Sequence, residues 1–254
     1  MIARPTAAVG AATTFVAMVA TPLARRGGGV RRATAAGVVG GLATTTFAQL
    51  RARHGGARAG AATVGVTTVG WLTEWVGIRT GRPFGRYRYT GRLRPSLGGV
   101  PVIVPVAWFA MAAPAREAVH AALGSRSDRR RRVVGGAAAL VAWDLFLDPQ
   151  MVAEGYWRWE RAGRYRGIPL SNFVGWFLTA AVAMVVLEAA APPADEPDGG
   201  LVAEYAGMAV METLGFAAFF RDRTVAVVGG AAMLPIAATA AIAALRGGRL
   251  SRCG

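Results

Sequence analysis

The sequence predicts an all-α fold: a polytopic integral membrane bundle of about seven to eight transmembrane helices, in one domain spanning residues 1–254. Three observations lead there. Hydrophobic residues make up 54% of the chain and charged residues only 17%, below the roughly 25% charge of soluble domains. The apolar residues fall in runs close to the roughly 20 residues that cross a bilayer. The segments between runs are short, so no second, water-soluble domain fits within 254 residues.

The runs lie at 6–24, 33–50, 60–78, 99–122, 133–152, 171–191, 201–220 and 224–245. The first is followed by Arg25 and Arg26 and then by further spans, so it is expected to stay as a helix and not be cleaved as a signal peptide. The next two are expected as separate spans with 51–59 as their connection. Pro149 is expected to end or bend the fifth. The last two follow a Pro/Asp/Glu linker at 192–200. Small residues such as Gly37, Gly40 and Gly41 allow helix backbones to approach closely in lipid.

A formal net charge of +15 would raise nucleic-acid binding for a soluble chain. Here the basic residues, all 29 of them Arg, sit between apolar runs. That placement suits loops at an anionic membrane surface and excludes a nucleic-acid partner from the reading. Alternation favours cytoplasmic termini only when the ten Arg of 79–94 and 158–166 are set aside. The single cysteine, Cys253, leaves no internal disulfide framework and no cysteine metal cluster.

Two connections differ from ordinary membrane loops. Residues 79–90 mix Gly and Pro turns with aromatic residues and cations, and 144–175 hold Asp148-Pro149-Gln150-Met151, Tyr156-Trp157-Arg158-Trp159 and Pro169-Leu170-Ser171-Asn172. Alternation puts both on one face. An interfacial aromatic belt with snorkelling Arg is the bland reading of any single ring; the density in two same-face connections points to a shared site.

Carboxylates within apolar segments are the sharper signal, because an acid at membrane depth is expensive. Glu74, Asp144, Asp148, Glu188, Glu204 and Glu212 qualify by position. Pairing with a structural Arg is the competing role, strongest for Glu188 and Glu204. Asp144 and Asp148 share one helical face about a turn apart. Such a pair could hold Mg²⁺ on a diphosphate, but membrane prenyltransferases typically present two Asp-rich motifs and this chain has one. His54 and His120 are isolated, leaving no basis for a His-ligated metal.

Glu74 and the motifs TGRPFGRYRYT (80–90), GVPVIVPVAWFAM (99–111), WDLFLDPQM (143–151) and GIPLSNFVGWF (167–177) resemble the CruF-type carotenoid biosynthesis family of bacteria and haloarchaea. The resemblance covers a core of about 70–178. It implies a multi-pass enzyme of the cell membrane that hydrates the terminal 1,2 double bond of acyclic (psi) carotenoid end groups. The substrate class stays open between gamma-carotene-like and linear fifty-carbon carotenoids. The partners implied are a lipophilic carotenoid and membrane lipids, with room for contacts to other enzymes of the carotenoid pathway; no cofactor and no metal are implied.

Markovnikov hydration protonates carbon 2 and leaves a tertiary cation at carbon 1 that water captures. The site then needs a protonated carboxyl, a group to place water, and aromatic faces for the cation. Asp144, Asp148 and Glu74 are the candidate catalytic acids, and which one donates stays open. Trp75, Trp108, Trp143 and Tyr87 are candidate cation-facing rings. Phe84, Tyr89, Trp157, Asn172 and Trp176 complete the expected substrate-binding set. Arg79, Arg82 and Arg86 are expected to support it, by ordering the carboxylates or by anchoring the loop on lipid headgroups. A membrane prenyltransferase acting on a carotenoid or polyprenyl diphosphate, and a non-catalytic carotenoid-binding or transport protein, are the alternatives.

Overall fold

The computed structural model describes residues 3–250; Cys253 lies outside the described residues. Within them the chain forms α1 (Ala3–Leu23), α2 (Gly29–Thr80), α3 (Ile103–Leu123), α4 (Arg129–Ala153), α5 (Leu170–Ala190), α6 (Gly199–Leu214) and α7 (Arg223–Leu250). The all-α expectation needs one addition. Four short strands, β1 (Tyr87–Tyr89), β2 (Ser96–Leu97), β3 (Val100–Pro101) and β4 (Trp157–Trp159), pair as β1 with β4 and β2 with β3.

Among the described residues, four helical segments are long and apolar enough to cross a membrane: Arg4–Leu23, Leu170–Ala190, Gly199–Phe219 and Arg223–Arg246. Seven to eight are expected from the apolar runs. The remaining runs do fold as helices, but they carry more polarity, and α3 shows why they can. Every residue of 107–121 is buried, so this central helix faces protein on all sides. Its charged side chains find protein partners: Arg116 Nη2 meets Glu117 Oε1 at 2.8 Å. The His120 ring nitrogens face Ser127 Oγ at 2.7 Å and Ala194 O at 2.9 Å.

The expected connection at 51–59 is not a loop. The two expected helices are separate but abut within α2, and their connection shrinks to a kink at Gly55, where φ is 82° and ψ 166°. An L side chain rarely adopts that φ, so glycine is what lets the chain reverse here without a linker. The two halves lie antiparallel. Ala35 and Val39 share a cavity wall with Glu74, and Thr44 and Phe47 share a groove with Thr63 and Thr67, each pair of positions nearly equidistant from Gly55. Helix α1 packs on the first half through paired glycines; a Cβ on Gly10 would come within 2.7 Å of Gly41 O.

Local chemistry places the other helix ends. Gly81, with φ 74°, closes α2 by donating to Gly77 O. Asp128 and Asp198 cap α4 and α6 by accepting backbone N–H groups of Arg131 and Leu201, respectively. Pro149 does not terminate α4, which continues to Ala153. The buried Arg31 side chain links the start of α2 to the end of α4 through Glu154 Oε1, at 2.8 Å from its Nε. Arg132 binds Glu188 through two parallel contacts of 3.0 and 2.7 Å, joining α4 to α5.

Candidate active site

The two aromatic connections meet. Strands β1 and β4 run antiparallel in the register Tyr87 to Trp159, Arg88 to Arg158 and Tyr89 to Trp157. Successive side chains on a strand face opposite sides. Tyr-Arg-Tyr and Trp-Arg-Trp therefore turn four aromatic rings toward the bundle and leave both central arginines exposed. The Tyr87 and Trp159 rings lie 5.0 Å apart, and those of Tyr89 and Trp157 5.8 Å apart edge to face. This ladder caps a cavity of about 70 Å³.

Three acids gather beneath or behind it. Glu74 is 5% exposed, Asp148 2% and Asp144 0%. The expected shared face of Asp144 and Asp148 is present on α4. Opposite them, Asn172 on α5 gives one amide proton to Asp144 Oδ2 at 3.0 Å and the other to Asp148 Oδ2. Trp157 Nε1 donates to Asp148 Oδ1 at 3.0 Å. Asp148 lines the cavity, whereas Asp144 stands behind it. Asp144 Oδ1 is buried with no hydrogen-bond partner among the described residues.

Glu74 has a separate set of donors. Its Oε2 accepts the hydroxyls of Tyr87 and, at 2.7 Å, Tyr89. Burial and the neighbouring Glu74 carboxylate push both phenols well above the usual tyrosine range, so both stay protonated as donors. No salt bridge reaches Glu74, Asp144 or Asp148 among the described residues.

Phe84 and Trp176 complete the wall. Phe84 fits between Gly77 and Gly175, where a Cβ would stand 2.9 and 2.7 Å from its ring, and Ser171 Oγ donates to its carbonyl at 3.0 Å. Trp176 stacks on Trp108 at 4.0 Å between centroids. Asn172 and Trp176 are four residues apart on α5 and so present one face to the cavity.

Several expected site residues lie elsewhere. Trp75 sits on the outer side of α2, stacked on Trp71 at 6.1 Å and beneath the Arg79 guanidinium at 4.1 Å. The reason is helical: it follows Glu74 directly, about 100° around the helix. Trp143 precedes Asp144 in the same way; it does not line the acid cavity but stands behind Trp176, its ring edge-on at 6.3 Å, and lines the apolar groove that adjoins the cavity. Arg79 does not order the carboxylates; it donates to Trp75 O at 3.0 Å and Gly98 O at 3.2 Å. Arg82 and Arg86 are exposed on the rim and make no ion pair with the acids. Glu188, as its structural alternative requires, is tied to Arg132, whereas Glu204 forms no ion pair among the described residues and accepts from Thr46 at 3.2 Å.

The cavity also recruits residues that sequence reasoning did not select. Trp159 and Tyr156 line it from motifs already conspicuous, and the alternation in Tyr-Arg-Tyr and Trp-Arg-Trp was a readable strand signal. Ala35 and Val39 of α2 line it with no local signal at all. Two grooves adjoin. One, of about 290 Å³, shares Ala35, Val39, Leu147 and Met151 with the cavity and is mostly apolar. The other, of about 720 Å³, shares Val39, Leu93 and Ile103 and is bordered by Arg32, Arg92 and Arg94.

A helical bundle with apolar membrane-length segments, enclosing acids and aromatic rings around a small cavity, has the architecture of a membrane protein. The chain belongs to the carotenoid biosynthesis protein family, which matches residues 33–245. It is also similar to the bisanhydrobacterioruberin hydratase of Haloarcula japonica, with 38% identity over 117 residues, 45% of this chain. The chain spans 40% of that relative's length. No solved structure matches it.

Proposed function

We propose that the protein is a multi-pass carotenoid hydratase of the cell membrane, adding water across the terminal 1,2 double bond of an acyclic end group to give a tertiary alcohol. The observation that carries this reading is the pair Asp144 and Asp148, bridged by Asn172 on the wall of an aromatic cavity, with no ion pair to either acid among the described residues. A hydrocarbon offers nothing to an arginine, but its double bond can take a proton from a carboxyl group.

In this scheme Asp148, which lines the cavity, gives its proton to carbon 2 of the alkene. The cation left at carbon 1 faces the stacked Trp108 and Trp176 and the rings of the cap, whose π-faces stabilise positive charge. Water adds to carbon 1 and loses a proton to Glu74, which Tyr87 and Tyr89 hold in place. Return of that proton to Asp148 through cavity water restores the starting state, so the net change is alkene plus water to alcohol. Asp144 acts behind Asp148 through Asn172 and fixes the pair's geometry.

The test is incubation of purified protein with an acyclic carotenoid in ¹⁸O-labelled water. Labelled tertiary alcohol, formed equally with EDTA present, is the expected result. Consumption of a prenyl diphosphate with Mg²⁺ would establish the transferase instead, and binding without turnover a carrier.

A further inference from the structure

The apolar groove beside the acid cavity does not end there. It shares Phe15, Met18, Met208 and Met211 with a second groove of about 420 Å³ between α1, α2 and α6. Together they follow α1 from Arg4 to Pro22, about 27 Å at a rise of roughly 1.5 Å per residue. One end opens on Ala35, Val39, Leu147 and Met151 of the acid cavity. The far end is polar. Arg4, Thr45, Gln49 and Glu204 line it, with Thr14 nearer the middle of the path, and Glu204 Oε1 is buried there without a hydrogen-bond partner among the described residues.

A buried acceptor with no donor costs free energy unless a ligand satisfies it. An extended polyene is the occupant whose shape fits: a narrow apolar path of bilayer length, continuous with the cavity where a terminal alkene reacts. Only a hydroxyl at its distant end would meet the free oxygen of Glu204. We infer that the substrate lies along this groove with its reacting end under the aromatic cap and its opposite end at Glu204, so that a chain already hydroxylated at one end is the preferred substrate for hydration of the other. The inference rests on the hydratase reading for the reaction, and on the grooves alone for the binding.

Two substrates separate the possibilities: a symmetrical acyclic carotenoid and the same molecule hydrated at one end. In Glu204→Leu the rate on the second relative to the first is expected to fall about tenfold, the effect of one lost buried hydrogen bond, and the half-hydrated molecule accumulates. An unchanged ratio overturns the assignment of Glu204. Gly207 lines the groove, and a Cβ there would meet nothing within 4 Å, so Gly207→Trp fills the path without a backbone clash. It is expected to lower the rate on long carotenoids relative to a short acyclic terpene by at least tenfold; equal effects on both overturn the path. If the wild-type protein hydrates neither substrate, the hydratase reading fails. Quenching of tryptophan fluorescence by the same two carotenoids then tests the groove separately: weaker binding to Gly207→Trp upholds it, and equal binding overturns it.

Discussion

Tyr87 stands directly across from Trp159 in the β1–β4 ladder, with ring centroids 5.0 Å apart, and its hydroxyl donates to Glu74. One residue therefore fastens the cap to the acid beneath it. Tyr87→Phe keeps the ring and removes the donor. The expected outcome is a folded protein whose hydration rate falls about tenfold, measured as kcat with the labelled-water assay. Trp159→Ala, which removes a wall of the cavity, is expected to raise KM more than it lowers kcat.

The two aspartates should not be equivalent. Asp148 lines the cavity and Asp144 is one layer behind, so Asp148→Asn is expected to lower turnover by roughly 10² to 10⁴, the usual cost of losing a general acid. Asp144→Asn, acting through Asn172, is expected to cost less. Oxygen-18 incorporation per mole of folded protein gives the comparison, and a larger loss at Asp144 would reverse the two roles.

Glu188 is expected to matter for stability and not for chemistry. Its carboxylate is held by Arg132 through contacts of 3.0 and 2.7 Å, at the end of α5 away from the cap. Glu188→Gln removes the counter-charge of the half-buried Arg132 and of the buried Arg116, which lies 3.8 Å from Glu188 Oε1 and keeps Glu117 as a partner, a change worth about 1–3 kcal/mol. The melting temperature of the detergent-solubilised protein should drop while activity per folded molecule is retained.

The pairing of β1 with β4 also fixes an aspect of topology. Thiols introduced at Arg92 and Arg161, in the connections on either side of that ladder, are expected to react with an impermeant reagent from the same side of spheroplast membranes. Labelling from opposite sides would contradict the assembled cap.

Helical spacing accounts for what the sequence revealed and what it concealed. Asp144 with Asp148, and Asn172 with Trp176, are separated by four residues, and each pair shares a face as that spacing requires. Trp75 and Trp143 adjoin acids in sequence, yet neighbours on a helix diverge by about 100°, so Trp75 faces outward and Trp143 lines the adjoining groove and not the acid cavity. The cap was legible in principle, since aromatic and arginine alternate with the period of a strand in 87–89 and 157–159. Ala35 and Val39 were not legible. They reach the site only because Gly55 folds α2 back on itself, and an apolar pattern carries no information about which turn of a helix will face a distant acid.

Arg88 and Arg158 face each other across the middle rung of the cap, both exposed. Like charges directly opposite on a ladder repel, and here the repulsion acts on the same few residues that close the roof over the acids. Anions outside the protein would relieve it. The grip of the roof is then expected to depend on its surroundings: phosphate-bearing lipid should tighten it, an uncharged detergent should leave the repulsion unrelieved, and added salt should narrow the difference between the two by screening. On the proposed hydratase reading, closure over the acids would in this sense be partly a property of the bilayer, entered through two exposed side chains that do not line the cavity.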